Sequence, residues 1–116
     1  MTEKNKSLEG IFAEIENQVN QNPAPIKDFQ AMYQFEITNQ ENSTYQLVFQ
    51  EGKVTVMQNS EQQADCVLKM SSDSLEKFLS GKLQGTVAFM TGKLKINGDI
   101  SKALKLESLL KEYDFG

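Results

Sequence analysis

Apolar side chains recur every three or four residues near the start of the sequence and at every second residue further on. The first spacing predicts an amphipathic helix over roughly residues 3–20, ended by Pro23 and Pro25. Its apolar face is formed by Leu8, Ile11, Phe12, Ile15 and Val19. The second spacing predicts β-strands that turn one face to a core and the other to water.

Alternating residues mark strands at 29–37, 45–49, 54–56 and 66–70. Glu51-Gly52 is a tight hairpin signal between the second and third of them. The side chains predicted to face the core are Phe29, Ala31, Tyr33, Phe35, Ile37, Tyr45, Leu47, Phe49, Val54, Val56, Cys66, Leu68 and Met70. The residues between these strands, 39–43 and 59–63, are polar and predict a loop and an irregular connection.

The segment after the fourth strand predicts a short helix. It begins in residues 71–73, where Asp73 and Glu76 approximate a capping box, and it ends at Gly81. The apolar run 87–90 that follows is predicted to be buried, and its period fits a helix or a strand equally well. Alternation over 93–96 then predicts a fifth, half-buried strand.

Asp99 is a good N-cap for a last helix, because its carboxylate can accept hydrogen bonds from the free N–H groups of the first turn. The apolar residues of this helix cover roughly 220° of its circumference, whereas a helix that lies on one sheet needs a stripe nearer 100°. They are Ile100, Ala103, Leu104, Leu106, Leu109 and Leu110. The last helix therefore has a second apolar neighbour, which is a ligand, another subunit or other helices of the same domain.

These elements predict one α+β domain over residues 1–116, with a mostly antiparallel sheet covered on one face by helices. No apolar run approaches the ~20 residues of a membrane-spanning helix. Because the first ten residues are charged and have no apolar core, we do not expect them to be a secretory signal. The tail 111–116 is predicted to fray. The one cysteine, Cys66, fits a reducing compartment and a packed core thiol.

The composition excludes several kinds of chemistry. There is no histidine, and with one cysteine a zinc site of cysteine and histidine is impossible. No glycine loop fits a nucleotide cofactor, so no cofactor and no enzymatic activity are predicted. The net charge of −4 and the absence of arginine argue against nucleic-acid binding.

Lysines are concentrated near the end of this acidic chain. From 82 to 111 there are six lysines against Asp99 and Glu107. This excess either marks a face that contacts anionic lipid surfaces or is an ordinary solvated face. The lysines proposed for a membrane contact are Lys93, Lys95, Lys102 and Lys105.

The order of the residues in this region adds a family resemblance. The sequence AFMTGKLKINGD at 88–99 resembles the signature of the sterol carrier protein type-2 family. The N-terminal helix, the three-strand meander with its EGKV-type hairpin and the SSDSLEKFLSGKL segment occur in the same order as in that family. The resemblance therefore covers nearly the whole chain.

The resemblance implies a five-stranded sheet in the order 3-2-1-4-5 and an apolar tunnel between sheet and helices that holds a sterol, fatty acyl or phospholipid chain. The residues that it places along the tunnel are Phe89, Met90, Leu94, Ile96, Leu104, Leu106 and Leu110. Phe35, Leu47 and Phe78 are added because the pattern predicts that they point inward. Each of these ten side chains is equally expected in an ordinary core.

An empty tunnel of ~300 Å³ would cost roughly 7 kcal/mol, which is comparable to the stability of a domain. We therefore expect either bound lipid or a collapsed, adaptable interior, in which Met57, Met70 and Met90 repack. The chain ends without a peroxisomal address, so a cytoplasmic location is expected. The alternative to a lipid carrier is an interaction module that dimerises through the last helix, and the expected state is a monomer or a weak dimer.

Overall fold

The computed structural model describes residues 8–38, 44–58, 63–113 and 115. The described residues form a five-stranded sheet in the order 3-2-1-4-5, as expected. The middle strands β1 and β4 are parallel, and the other neighbours are antiparallel. The strands are β1 (Ala31–Ile37), β2 (Thr44–Gln50), β3 (Lys53–Gln58), β4 (Cys66–Met70) and β5 (Lys95–Gly98).

Alternation decides which face of each strand is buried. In β1 every second side chain is buried, from Ala31 to Ile37, and the residues between them are half-exposed. The first strand starts two residues later than predicted, because the amide of Phe29 closes a turn onto the carbonyl of Ile26. Phe29 still packs on the core, 5.3 Å from the ring of Phe49.

Helices cover the apolar face of the sheet. They are α1 (Leu8–Gln21), a short 3-10 helix (Ala24–Ile26), α2 (Ser72–Leu79), α3 (Gly85–Met90) and α4 (Ile100–Leu110). The two-layer α+β arrangement predicted from the sequence is therefore confirmed. Among the described residues, no helix is both long enough and apolar enough to cross a membrane.

The first helix covers the edge strand β3. The Asn20 side chain donates to the carbonyl of Val54 at 2.9 Å and accepts from its amide at 2.8 Å, and Glu16 accepts from the amide of Val56. These side chains satisfy edge N–H and C=O groups that would otherwise be free to pair with another chain. Phe12 stacks on Tyr45 at 4.3 Å, which anchors the same helix over the centre of the sheet.

The cap of α2 differs from the prediction. Ser71 is the N-cap and accepts a hydrogen bond from the amide of Ser74, whereas Asp73 lies within the first turn. Serine and aspartate are both good N-cap residues, so the sequence pattern allows the helix to begin at Ser71 or at Asp73. The cap is Ser71, because the backbone is still extended there and becomes helical from Ser72 onward. Gly81 follows the end of the helix with a positive φ of 82°, as expected.

The run at 87–90 is helical, and the prediction that it is buried was wrong. It lies in α3, whose buried residues are Gly85 and Ala88, while Val87, Phe89 and Met90 are exposed. A helix of little more than one turn has only one narrow face toward the core, so consecutive apolar residues cannot all be buried.

The last helix begins as predicted. Asp99 accepts a hydrogen bond from the hydroxyl of Ser101 at 2.6 Å and further bonds from the amides of Lys102 and Ser101. The hydroxyl bond first, and the two amide bonds after it, lower the pKa of the Asp99 carboxyl. The tail does not wholly fray, because the hydroxyl of Tyr113 donates to the carbonyl of Asn22 at 2.7 Å. The loop predicted at 39–43 and most of the connection predicted at 59–63 lie outside the described residues.

A buried tyrosine of β1 joins the sheet to α4 by a hydrogen bond. The hydroxyl of the fully buried Tyr33 donates to the carbonyl of Lys102 at 2.6 Å. Burial raises the pKa of Tyr33 well above its usual value, and the nearby Cys66, Asp65 and Asp99 raise it further.

We expect Tyr33→Phe to lower the free energy of unfolding by about 1 kcal/mol, because the variant loses a buried hydrogen bond but keeps the ring. Urea denaturation measures the change. Tyr113→Phe is the matched control, since it removes a more exposed bond that water can replace, and its effect should be smaller. Equal losses in the two variants would contradict the anchoring role of Tyr33.

Candidate functional site

Five large apolar side chains are exposed on the two helices that follow α2. Val87, Phe89 and Met90 lie on α3, and Ile100 and Leu104 lie on α4. Met90 is 79% exposed and the others are 44–48% exposed. We call these five residues the apolar patch. Among the described residues they are the exposed large hydrophobic side chains, so the patch is confined to these two helices.

The two helices contact each other through a glycine and a carboxylate. The amide of Gly85, the first residue of α3, donates to the Glu107 carboxylate at 2.9 Å. Ile100, Leu104 and Glu107 are spaced i, i+4 and i+7, so they share one face of α4. The helix α3 therefore starts against the C-terminal end of this face and leaves Ile100 and Leu104 uncovered at its other end.

Close approach is what makes this contact specific to glycine. A Cβ on Gly85 would lie 2.6 Å from a Glu107 carboxylate oxygen, so the carboxylate would have to move. The Glu107 side chain is only 13% exposed, and Lys111 lies 4.0 Å away as its ion-pair partner. A partly buried amide–carboxylate hydrogen bond thus connects α3 to α4.

The structure separates the ten residues predicted from the sequence into two groups. Phe89, Met90 and Leu104 belong to the apolar patch, and Ile96 is half-buried. The other six are at most 7% exposed and belong to the core between the helices and the sheet. They are Phe35, Leu47, Phe78, Leu94, Leu106 and Leu110.

The interior beneath α4 is closed by side chains. Three surface pockets with volumes of about 380 to 580 Å³ lie elsewhere, and none of the ten predicted residues lines them. A chain-like ligand enters this interior only if side chains or a helix move apart.

Two members of the apolar patch were not among the predicted site residues. Val87 was assigned to a buried run, and Ile100 was placed on the wide apolar arc of α4 without a role. The sequence did contain a signal for the part of the patch on α4. Ile100 and Leu104 lie near one edge of the apolar arc, farthest from Leu106 and Leu109, and residues at the edge of an apolar arc are the first to be left exposed.

The four lysines proposed for a membrane contact do not lie together. Lys93 and Lys95 line a pocket at one end of the sheet together with Lys69, which is not one of the four. On α4, Lys102 is turned about 200° from Ile100, and Lys105 about 100° from Leu104. Lys105 instead lines a different pocket, beside Ala24 and Pro25.

The single cysteine is a core thiol, as expected. Cys66 is fully buried in β4, and burial raises the pKa of its thiol to about 11, with Asp99 and Asp65 adding to the rise. At pH 7 it is a neutral thiol, which is a poor nucleophile. Within the described parts of the chain, no group of three or more histidine, cysteine, aspartate or glutamate side chains could hold a metal ion.

Comparison with known proteins agrees with this geometry. Residues 12–111 match the SCP-2 sterol transfer family. The chain is 43% identical to hydroxysteroid dehydrogenase-like protein 2 of Bos taurus over 89 residues, which are 75% of this chain and 21% of that protein. It is 31% identical to sterol carrier protein 2 of Bos taurus over 103 residues, or 85% of this chain and 19% of that protein. The chain thus spans about a fifth of the length of these curated relatives.

Solved structures show the same fold. The sterol carrier protein domain 2 of Helicoverpa armigera is similar with a TM-score of 0.73 and 26% identity, over 96% of this chain and 91% of that one. Sterol carrier protein-2 of Aedes aegypti in complex with palmitate has a TM-score of 0.65 and 21% identity, over 95% and 96% of the two chains. By its sequence over residues 12–111, by its strand order and by these relatives, the chain belongs to the SCP-2 sterol transfer family.

Proposed function

We propose that this protein is a lipid carrier that takes up a sterol, fatty acyl or phospholipid chain between its sheet and the helices α3 and α4. The observation that carries the proposal is the apolar patch. Five large apolar side chains remain exposed on two helices that contact each other, and a concentration of exposed apolar side chains of this kind is typical of binding sites. The same proposal places the protein in the cytoplasm.

The helix α3 is the element best suited to open. Its buried residues are the two small ones, Gly85 and Ala88, so it contributes little apolar burial of its own. Gly81 and Gly92, both with positive φ, flank it in sequence. Elements with few buried apolar contacts are the ones that open at low free-energy cost.

Ligand uptake in this proposal turns exposed apolar surface into buried surface. When α3 moves, Phe89 and Met90 rotate toward the lipid's hydrocarbon chain. The interior side chains Leu94, Leu106 and Leu110 separate and line the space that the lipid occupies. Burying a C16 chain contributes on the order of 10 kcal/mol before the entropic losses of binding, at ~0.8 kcal/mol per CH₂. Since one neutral hydrogen bond adds only about 1 kcal/mol, we expect broad specificity.

In this proposal the other predicted residues surround the opening and the far end of the binding space. Ile96 and Leu104 flank the opening, and Phe35, Leu47 and Phe78 form the floor that a long chain reaches last. The relatives support a lipid ligand, because one similar structure is a complex with palmitate and the family is named for sterol transfer.

The proposal predicts that detergent-free protein binds one palmitate per chain and that palmitate raises the melting temperature. The double variant Phe89→Ser, Met90→Gln should bind palmitate about tenfold more weakly, because it removes apolar contacts at the opening. Native mass spectrometry measures the stoichiometry, and a fluorescent fatty-acid displacement assay measures the affinity.

Met32→Gln is the matched control for this experiment. Met32 is also partly exposed, but it lies on the face of the sheet opposite the helices, so its replacement should leave palmitate affinity unchanged. Failure of wild-type protein to bind a fatty acid, a phospholipid and a sterol would contradict the proposal. An equal loss in Met32→Gln would contradict the assignment of the opening to α3.

A second candidate is a dimerisation module, because Ile100 and Leu104 leave an uncovered apolar face on α4 that a second copy could cover. Sedimentation velocity distinguishes the two functions. A monomer mass at all concentrations removes the dimer, whereas a dimer that Leu104→Ser dissociates, together with no lipid binding, supports it.

We also infer that the carrier delivers lipid at anionic membrane surfaces, which Lys93 and Lys95 contact, because these two lysines follow shortly after Met90, the last residue of α3. The domain itself is proposed to be non-catalytic, with a buried, neutral thiol as its one cysteine. Since the curated relatives are about five times longer, other parts of such proteins would act on the lipid that this domain presents.

A further inference from the structure

A basic pocket lies at the end of the sheet where β1 and β4 stop and β5 starts. It has a volume of about 580 Å³. The groups that concern us are three lysines and three hydroxyl side chains, namely Lys69, Lys93, Lys95, Thr38, Ser71 and Ser74. Among the described residues that line this basic pocket, none is acidic.

Two of these lysines repel each other across the sheet. Lys69 and Lys95 are direct cross-strand partners in the antiparallel pair of β4 and β5. Like charges placed directly opposite each other destabilise a sheet. Glu36, on the other side of Lys69, lies 3.6 Å from its ammonium group and compensates one charge. In the part of the chain that the structure describes, Lys93 and Lys95 have no such carboxylate partner.

The hydroxyl groups add directed hydrogen bonds to this charge. The hydroxyl of Ser71 donates to that of Ser74 at 3.2 Å, so the two oxygens form one small polar cluster at the wall of the basic pocket. Ammonium and hydroxyl groups together match a phosphate group, which has several acceptor oxygens and up to two negative charges.

We propose that the basic pocket binds a phosphate group, held by Lys69, Lys93 and Lys95 and oriented by the serine hydroxyls. As the phosphate of a lipid head group, it extends and rests on the proposed lipid-carrier function. Lys69 and Lys95 lie on the outer face of the sheet, away from the helices, whereas Gly92 and Lys93 follow shortly after α3. All four line the pocket, which therefore extends from the outer face to the end of α3 and would receive a head group that protrudes past this helix.

The first measurement is a titration with inorganic phosphate at constant ionic strength, followed by amide chemical shifts. We expect saturable shifts at Ser71, Ser74, Lys93 and Lys95. Lys95→Gln should weaken phosphate binding about tenfold, because a charge-assisted hydrogen bond is lost. The same variant should melt at a slightly higher temperature than wild type in low salt without phosphate, because the cross-strand repulsion is removed.

Lys53→Gln is the matched control. Lys53 is an exposed strand lysine on β3, at the opposite edge of the sheet, and it makes the same change in net charge. It should change neither the phosphate affinity nor the melting temperature. Shifts absent from the pocket, or an equal loss of affinity in Lys53→Gln, would overturn the proposal.

Two further probes identify the source of the phosphate. Glycerol 3-phosphate carries the group without acyl chains, and dihexanoyl phosphatidic acid carries it with short ones. Tighter binding of the phosphatidic acid, by about tenfold or more, assigns the pocket to a lipid head group, whereas equal binding assigns it to a soluble phosphate ester and overturns the head-group part of the proposal.

Palmitate uptake by Lys95→Gln separates this proposal from the carrier function. Normal uptake of palmitate together with lost phosphate binding supports both. Phosphate binding by wild-type protein that takes up no palmitate contradicts the carrier function and leaves the pocket in place. Palmitate binding without phosphate-induced shifts contradicts the phosphate pocket and leaves the carrier function in place.

Discussion

Gly98→Ala is expected to lower the free energy of unfolding by about 3 kcal/mol, a large part of the stability of a domain this size. Gly98 ends β5 with a φ of 110°, a backbone conformation that side chains rarely adopt. A Cβ there would lie 2.7 Å from the carbonyl oxygen of Asp65 and 3.2 Å from the Cα of Cys66, both of them backbone atoms of the neighbouring strand segment. Neither atom can move without breaking the pairing of β4 and β5.

Gly92→Ala is the control that separates the clash from the backbone strain. Gly92 has a similar positive φ of 83°, but a Cβ there would meet nothing within 4 Å. It should therefore cost only about 1 kcal/mol, the strain of a left-handed residue. Urea denaturation of both variants tests the prediction. Equal losses would show that the close approach to β4 contributes nothing.

Leu106→Ala is expected to lower the free energy of unfolding by about 3 kcal/mol, because it leaves a cavity in the core. Leu106 is fully buried beneath α4. Leu104, two residues earlier on the same helix, is 46% exposed, so Leu104→Ala should change stability by no more than about 0.5 kcal/mol. The same chemical change is thus expected to have a large effect on stability on one side of the helix and a small one on the other.

Lipid binding should show the complementary pattern. Leu104→Ala is expected to weaken palmitate binding about fivefold, because it removes apolar surface at the opening while the protein stays folded. Denaturation curves and fatty-acid displacement on the same samples measure both quantities. If Leu104→Ala were strongly destabilising, its side chain would belong to the core. If it changed neither quantity, the patch would not take part in binding.

These expectations describe a domain in which α1 buries five large apolar side chains, whereas α3 buries only Gly85 and Ala88. Phe12 packs against the aromatic rings of Phe35 and Tyr45, and Asn20 joins α1 to the edge strand with two hydrogen bonds. In contrast, α3 is connected to α4 by the bond from Gly85 to Glu107. The proposed carrier function requires this asymmetry, because a rigid scaffold has to remain folded while one element moves.

Local pattern alone determined much of the fold. Alternation placed Tyr33, Phe35 and Leu47 on the buried face, because successive side chains of a strand point in opposite directions whatever the strand pairs with. The Asp99 cap followed from the chemistry of free amides at a helix start. The strand order 3-2-1-4-5 did not follow from pattern, and it was expected from the family resemblance.

The family and the general class of ligand were also contained in the sequence, in the motif at 88–99. The individual site residues were not, because an apolar side chain has the same sequence signature whether it packs in a core or contacts a ligand. Leu104 and Leu106 are the same amino acid on one helix, and only their neighbours in space distinguish them.

Tertiary structure alone decided which surfaces stay uncovered and which charges meet. The length of α3 left Phe89 and Met90 exposed, although their run reads as buried. Strand register brought Lys69 opposite Lys95, although 25 positions separate them in the chain. Burial and electrostatic repulsion depend on distances between segments remote in sequence, whereas the periodicity of a sequence reports only the direction of each side chain relative to its own helix or strand.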